Sequence, residues 1–173
     1  MRKYTGICRC SAGFTLIELI VVLAIVVVLI SAATVAFHDW QIKYNVEAQV
    51  KQMVTDFSEL RVQAMTRKQR HSITINQKSY VFKSYSSDDE PLAAGTVLPP
   101  AIRTVNYALK QSSSTYFDGT QIFEIDQRGL LVSLPDTIFV DSTSSATIDC
   151  LTIHYARINP GKKDASWSNC NDQ

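Results

Sequence analysis

The chain is short of the residues that usually do chemistry. It holds three histidines and six glycines among 173 residues. His38, His71 and His154 do not form H-E-x-x-H, and neither G-x-S-x-G nor a phosphate-cradling loop occurs. These absences argue against zinc hydrolases, serine hydrolases and nucleotidases. The expectation is a protein that is not an enzyme and that needs no cofactor or metal. Cys150 and His154 stand four apart in a strand-like stretch, which would put them on one face but about 13 Å apart. Asp88, Asp89 and Glu90 are contiguous, so they lack the spaced oxygens of a calcium loop and read as a solvated turn. Hydrophobic residues make up 46% and the formal charge is +1. That balance excludes disorder and leaves no strong field for coating nucleic acid.

Charge and helix breakers are missing in one place above all. No charged residue lies between Leu19 and Phe37, and no proline or glycine between Phe14 and Arg70. Thirteen of the nineteen residues from Leu19 to Phe37 are Leu, Ile, Val or Phe. Their insertion into a bilayer gains about 4 to 8 kcal/mol, against at most ~3 for Glu18 at its edge. At ~1.5 Å per residue the run is long enough to span a membrane, and longer than the core of an ordinary cleaved secretory signal. Ser31-Ala32-Ala33 is only a weak cleavage site. Arg2, Lys3 and Arg9 precede the run, so the positive-inside bias leaves a short N-terminus in the cytoplasm and the remainder outside.

Four cysteines divide accordingly. Cys8 and Cys10 fall on the cytoplasmic side, and two ligands without a second pair are weak metal binders. Cys150 and Cys170 fall outside, where disulfides persist. A bridge there would close a loop of about 20 residues and contribute roughly 3 kcal/mol. The alternative is two unpaired thiols.

Beyond the apolar run, Val46, Val50, Met53, Phe57, Leu60 and Ala64 recur at spacings of four and three. That is one stripe of an amphipathic helix, which core packing explains. Arg67, Lys68, Arg70 and His71 read as its cationic end. After it, "SITINQKSYVFKSYS" reads as strand, turn, strand, and "AIRTVNYAL" as a third strand. "TQIFEIDQRGLLVSL" reads as a hairpin around Asp126 to Gly129. "DTIFVD" and "TIDCLTIHYARI" are further strands, and the tail "NPGKKDASWSNCNDQ" reads as loop. The expected fold is α+β: a long N-terminal helix packed on an antiparallel sheet of about six or seven strands.

The stretch "GFTLIELIVVLAIVVVLI", Gly13 to Ile30, resembles the type IV prepilin signature and covers about a fifth of the chain with its leader. The resemblance implies a pilin-like fold, with a leader at 1–13, a transmembrane and assembly helix at 14–37, an amphipathic continuation at 38–70 and a periplasmic β domain at 71–173. It implies that prepilin peptidase cuts between Gly13 and Phe14 and methylates Phe14. Glu18, then the fifth residue, would pair with the N-terminal amine of a neighbouring pilin or pseudopilin as helices stack. An unpaired carboxylate at a membrane edge is unfavourable, and a cation in an apolar bundle relieves it; the bland alternative is a Glu18 that snorkels to headgroups. Before assembly the chain would sit in the inner membrane, against lipid. Many pilins carry a helix-bending proline about twenty residues into the mature chain. Here "SAATVAF" has Val35 and no proline.

Two shorter stretches, "LRVQAMTRKQRHSITI" (Leu60 to Ile75) and "FEIDQRG" (Phe123 to Gly129), resemble the GspH/FimT group of minor pseudopilins. The C-terminal cysteine pair resembles a pilin's disulfide-bounded loop. The resemblance implies a structural subunit that helps initiate or cap a type II secretion pseudopilus or a type IV pilus. Two alternatives stand beside it. One is a DNA-binding minor pilin, for which Arg157, Lys162 and Lys163 would be the contacts. The other is a single-span anchored domain of other function. Loss of the leader lowers the basic count from 17 to 14 against 16 acids, a mature charge of −2. That sign disfavours general DNA coating.

Overall fold

The computed structural model describes residues 13–172; the side chains of 32–36 and 172 lie outside the described residues. So do most of the expected leader, its basic residues Arg2, Lys3 and Arg9, and Cys8 and Cys10. The chain divides into two compact units, Met1–Asp39 and Trp40–Gln173. The helix α1, Leu16–Arg67, contributes residues to both.

In the first unit the helix begins with a side-chain cap. Thr15 Oγ1 accepts the Glu18 backbone N–H at 3.3 Å, and Thr15 O accepts that of Leu19 at 3.2 Å. A threonine at this position satisfies a donor that the first turn otherwise leaves without a partner. Large apolar side chains from Leu16 through Ile30 are exposed all round the helix.

In the second unit the helix has one inward face. Val46, Val50, Met53, Phe57, Leu60 and Ala64 are all buried to within 1%. The expected stripe is therefore a core face. Helix α1 stops at Arg67 because Lys68 turns to φ 53°, and Gln69 N–H reaches back to Ala64 O at 3.3 Å. This is a Schellman closure made without glycine. His71, expected at the helix end, instead opens the first strand.

Among the described residues all strands pair antiparallel, in two five-stranded sheets. The first holds β1 (His71–Asn76), β2 (Ser79–Ser84), β3 (Thr96–Val97), β4 (Arg103–Thr104) and β6 (Asp118–Ile125), in the order β3-β2-β1-β6 with β4 also on β2. The second is ordered β10-β9-β8-β7-β5. It is built from β5 (Leu109–Lys110), β7 (Asp136–Val140), β8 (Cys150–Ile153), β9 (Ile158–Lys163) and β10 (Cys170–Asp172). Leu131 N–H to Tyr155 O at 2.8 Å and Val132 N–H to Glu124 O at 2.8 Å stitch the two sheets together. One hydrophobic core joins the helix stripe to Ile73, Phe82 and Phe123 of the first sheet and Ile138, Leu151 and Ile153 of the second.

Three sequence expectations need correction. A single sheet of six or seven strands is two sheets. "AIRTVNYAL" is not one strand but supplies the short β4 and β5, each to a different sheet. The tail is not a loop, because it forms β9 and β10. Pro160 and Gly161 misled the reading, since both usually break strands. Gly161 is needed for closeness instead: a Cβ there would collide with the Asn171 carbonyl and lie 2.8 Å from Cys170 Sγ.

Polar groups tie the helix to the sheets. Asp56 accepts Tyr80 Oη–H at 2.5 Å and Gln52 Nε2–H at 2.7 Å, and pairs with Arg103 Nε at 3.2 Å. Burial and the Asp56 carboxylate both push the Tyr80 phenol upward, so it stays a donor. Gln49 holds both backbone groups of Tyr107 at 2.9 Å. Each pairing satisfies groups whose burial unpaired would cost about 1–3 kcal/mol.

Candidate functional site

The N-terminal segment carries the first set of expected site residues. Gly13, Phe14 and Thr15 lie outside the helix, which starts at Leu16. The Gly13–Phe14 bond is thus in non-helical, exposed backbone, with Phe14 78% exposed. The position of Glu18 is equally definite. It stands in the first turn of α1, exposed, where a carboxylate meets the positive end of the helix dipole. Among the described residues no ion pair engages it. Thr15 was missed in the sequence. Its signal was present, since Thr-x-x-Glu is the spacing of a capping box.

Among the described residues no helix is long and apolar enough to cross a membrane. The uncharged run continues through positions 32–36, whose side chains lie outside those residues.

The second set gathers at the C-terminal end of the second unit. Cys150 and Cys170 form a disulfide with Sγ–Sγ 2.05 Å and Cα–Cα 5.9 Å. Cys150 is fully buried and bonded, so it is no nucleophile, and His154 is exposed in the turn after β8. Between the cysteines stand Lys162 and Lys163, both directed at Asp149. This carboxylate is fully buried; Lys162 Nζ lies 3.0 Å and Lys163 Nζ 4.0 Å from its Oδ2, and the Lys163 backbone N–H donates to Oδ1 at 2.7 Å. Lys162 also donates to the Ala146 carbonyl. Lys163 donates to the carbonyls of Val140 and Ser142 at 3.0 and 2.9 Å. Burial lowers its pKa, against the pull of Asp149.

Trp167 covers this cluster. It takes φ 57°, stands 6.0 Å from the Phe139 ring, and has Lys163 Nζ 3.8 Å and Lys110 Nζ 4.9 Å from its ring centre. Cations over an indole face are attracted by its quadrupole. The loop is held by Asp164, which accepts from Ser166, Ser168 and Asn169. Desolvation raises the Asp164 pKa, but these hydrogen bonds outweigh it and leave the carboxyl well below its usual range. Arg157 stands apart from the lysines in the β8–β9 turn, exposed, its carbonyl bonded by His154 N–H at 2.8 Å. The three expected DNA contacts are therefore two inward lysines and one surface arginine. Sequence reasoning missed Asp149 and Trp167 because nothing near either announces a partner.

Other polar groups serve the fold. In the acidic stretch Asp88 accepts Gln127 Nε2–H at 2.8 Å, and Glu90 accepts Ser86 N–H at 2.6 Å. Arg70 pairs with Glu124 at 3.0 Å and lies 4.4 Å over the Tyr85 ring. Arg61 Nε–H donates to Gly129 O at 2.8 Å, which closes the Asp126–Gly129 turn against the helix; Gly129 itself takes φ 75°, as its turn requires.

With this geometry in view, residues 8–34 match the family model of the prokaryotic N-terminal methylation motif. The chain therefore carries a type IV prepilin-like signal, and its fold is pilin-like, a helix followed by an antiparallel β domain. The motif anchors such a chain to the membrane through its N-terminal helix. Neither the curated proteins nor the solved structures include a match to it.

Proposed function

We propose that the chain is a minor pilin or pseudopilin of the GspH/FimT kind. After prepilin peptidase removes residues 1–13 and methylates Phe14, it waits in the inner membrane with its β domain in the periplasm. It then enters a type II secretion pseudopilus or a type IV pilus, where it helps initiate or cap the filament.

The observation that carries assembly is the pairing of Glu18 with an apolar helix surface. In the first unit the large apolar side chains point outward on every side, and the described residues offer them no complement. Lipid satisfies such a surface before assembly, and other helices satisfy it afterwards. The Glu18 carboxylate at its start then needs a cation, which the methylated amine of a neighbouring subunit supplies.

The subtype reading draws on a different observation. The two stretches that resemble the GspH/FimT group meet in space: Arg61 of the first donates to Gly129 of the second, and Arg70 pairs with Glu124. They form one helix-to-hairpin joint. The DNA-receptor reading is weaker, since Lys162 and Lys163 are committed to Asp149.

The test is intact mass of the membrane-extracted protein, with and without reduction, followed by its quantity in sheared filaments. The expected mass lacks residues 1–13, carries one methyl on Phe14, and gains two hydrogens on reduction. Glu18→Ala should remain in the membrane and be lost from the filament fraction. A full-length, unmethylated chain in a host with active prepilin peptidase would overturn the assembly reading. A copy number equal to that of the main subunit would overturn the minor role.

A further inference from the structure

The uncharged run of the sequence is followed by two large aromatic residues. That run ends at Phe37, and Trp40 and Tyr44 follow on the helix. Their rings stack, with centroids 5.7 Å apart and planes at 18°, and they are 58% and 59% exposed. An i, i+4 pair shares a helix face. Tyr44 and the fully buried Val46 are two positions apart, about 200° around the helix, so the aromatic pair points away from the core. Further along the same face come Ala48, Lys51 and Thr55, all exposed. Past the aromatic pair, therefore, this face becomes ordinary charged and polar surface.

Core packing does not account for two large rings placed opposite the core stripe. Exposed rings of this size are unfavourable in plain water. They are favourable at the headgroup level of a bilayer, where a ring buries its apolar body and leaves Nε1–H or Oη–H hydrated.

We infer that Trp40 and Tyr44 form an interfacial anchor that sits in the headgroup region of the bilayer at the outer end of the membrane segment. The occupant of this face is lipid, and the argument is its continuity with the anchoring segment. The inference rests on the membrane-anchored reading given above. It adds where the membrane ends and which residues mark that level: the domain begins within two helical turns of the lipid surface. Extraction of a subunit into a filament must then break this aromatic contact as well as withdraw the aliphatic run.

The full chain is reconstituted into phosphatidylcholine–phosphatidylglycerol vesicles without other subunits. The sequence has two tryptophans, so Trp167→Phe leaves Trp40 as the sole indole. Trp167→Tyr is the second variant should the first fail to fold, and Trp40→Phe reports Trp167 alone. Trp40 emission should be blue-shifted, shielded from aqueous iodide, and quenched more by lipid brominated near the headgroup than by lipid brominated deep in the chain. Trp167 should ignore both brominated lipids. Vesicle-bound protein whose Trp40 is open to iodide and indifferent to brominated lipid would overturn the anchor. Shielding that appears only when another subunit is added would also overturn it, and would make this face a subunit contact. Failure of the protein to float with the vesicles would instead remove the membrane-anchored reading and this inference with it.

Discussion

Helix α1 contains two kinds of helix. Its N-terminal portion is apolar on every side, and its large side chains are exposed from Leu16 to Ile30. Its C-terminal portion is apolar along one stripe, and that stripe is buried from Val46 to Ala64. The backbone hydrogen bonding is the same in both. What differs is the partner that the side chains require. An all-round apolar helix needs an apolar solvent, and a striped helix needs one flat partner with water behind it. The first is suited to lipid. The second is fixed to its own sheets.

The sharpest way to break this contrast is to truncate one large apolar side chain in each portion in turn. Phe57 is fully buried and lies edge-on to Tyr80 and Phe82 at 5.4 and 5.8 Å. Phe57→Ala should destabilise the second unit by about 4 kcal/mol in denaturant unfolding. Leu23→Ala, on the exposed portion, should leave that unfolding within about 0.5 kcal/mol of the parent. An equal loss from both would mean that the two portions are not distinct.

Asp149→Ala comes next. It leaves Lys163, with only 10% of its side chain exposed, without its ion-pair carboxylate and with only the weaker pull of Asp141. A loss of about 3 kcal/mol is expected. Circular dichroism in micelles should show the N-terminal portion still helical when the second unit is unfolded, because an apolar environment favours a helix that pairs its own backbone groups. Reduction of Cys150–Cys170 should cost roughly 3 kcal/mol for its separation of 20 residues. Thermal melting with and without reductant reads it directly.

The smallest effect concerns pH. His71 is fully buried, with Nδ1 2.9 Å from Gln69 O and Nε2 without a partner among the described residues. Burial lowers its pKa below the ordinary 6.5, and Gln69 opposes this only in part. Below pH 6.5 the unfolded chain takes up a proton that the folded chain refuses. The contribution of His71 to stability is therefore whole above pH 6.5 and declines as pH falls through it towards the lower folded value. Chemical unfolding at pH 8 and pH 5.5 measures the decline, and His71→Asn should flatten it.

Much of this was legible from the residues. The stripe Val46, Val50, Met53, Phe57, Leu60, Ala64 marked the core face, and the Asp126–Gly129 turn was visible because Asp and Gly have specific turn chemistry. The β1–β2 hairpin was visible for the same reason, with two alternating runs around Gln77 and Lys78. The second sheet was not legible. Pro160 and Gly161 look like loop residues until a disulfide passes close to Gly161. Asp149 looked like any surface carboxylate until Lys162 and Lys163, thirteen and fourteen residues on, closed over it.

Local order and destination were therefore written in the sequence, because they depend on properties read one residue at a time. A methylation motif, an uncharged run, a capping threonine and a helical period need no neighbours from afar. The division into two sheets, the burial of Asp149, the Trp167 cover and the turning of two basic residues inward were decided only by tertiary structure. Each depends on which distant groups are brought within a few ångströms, and no local pattern encodes that distance.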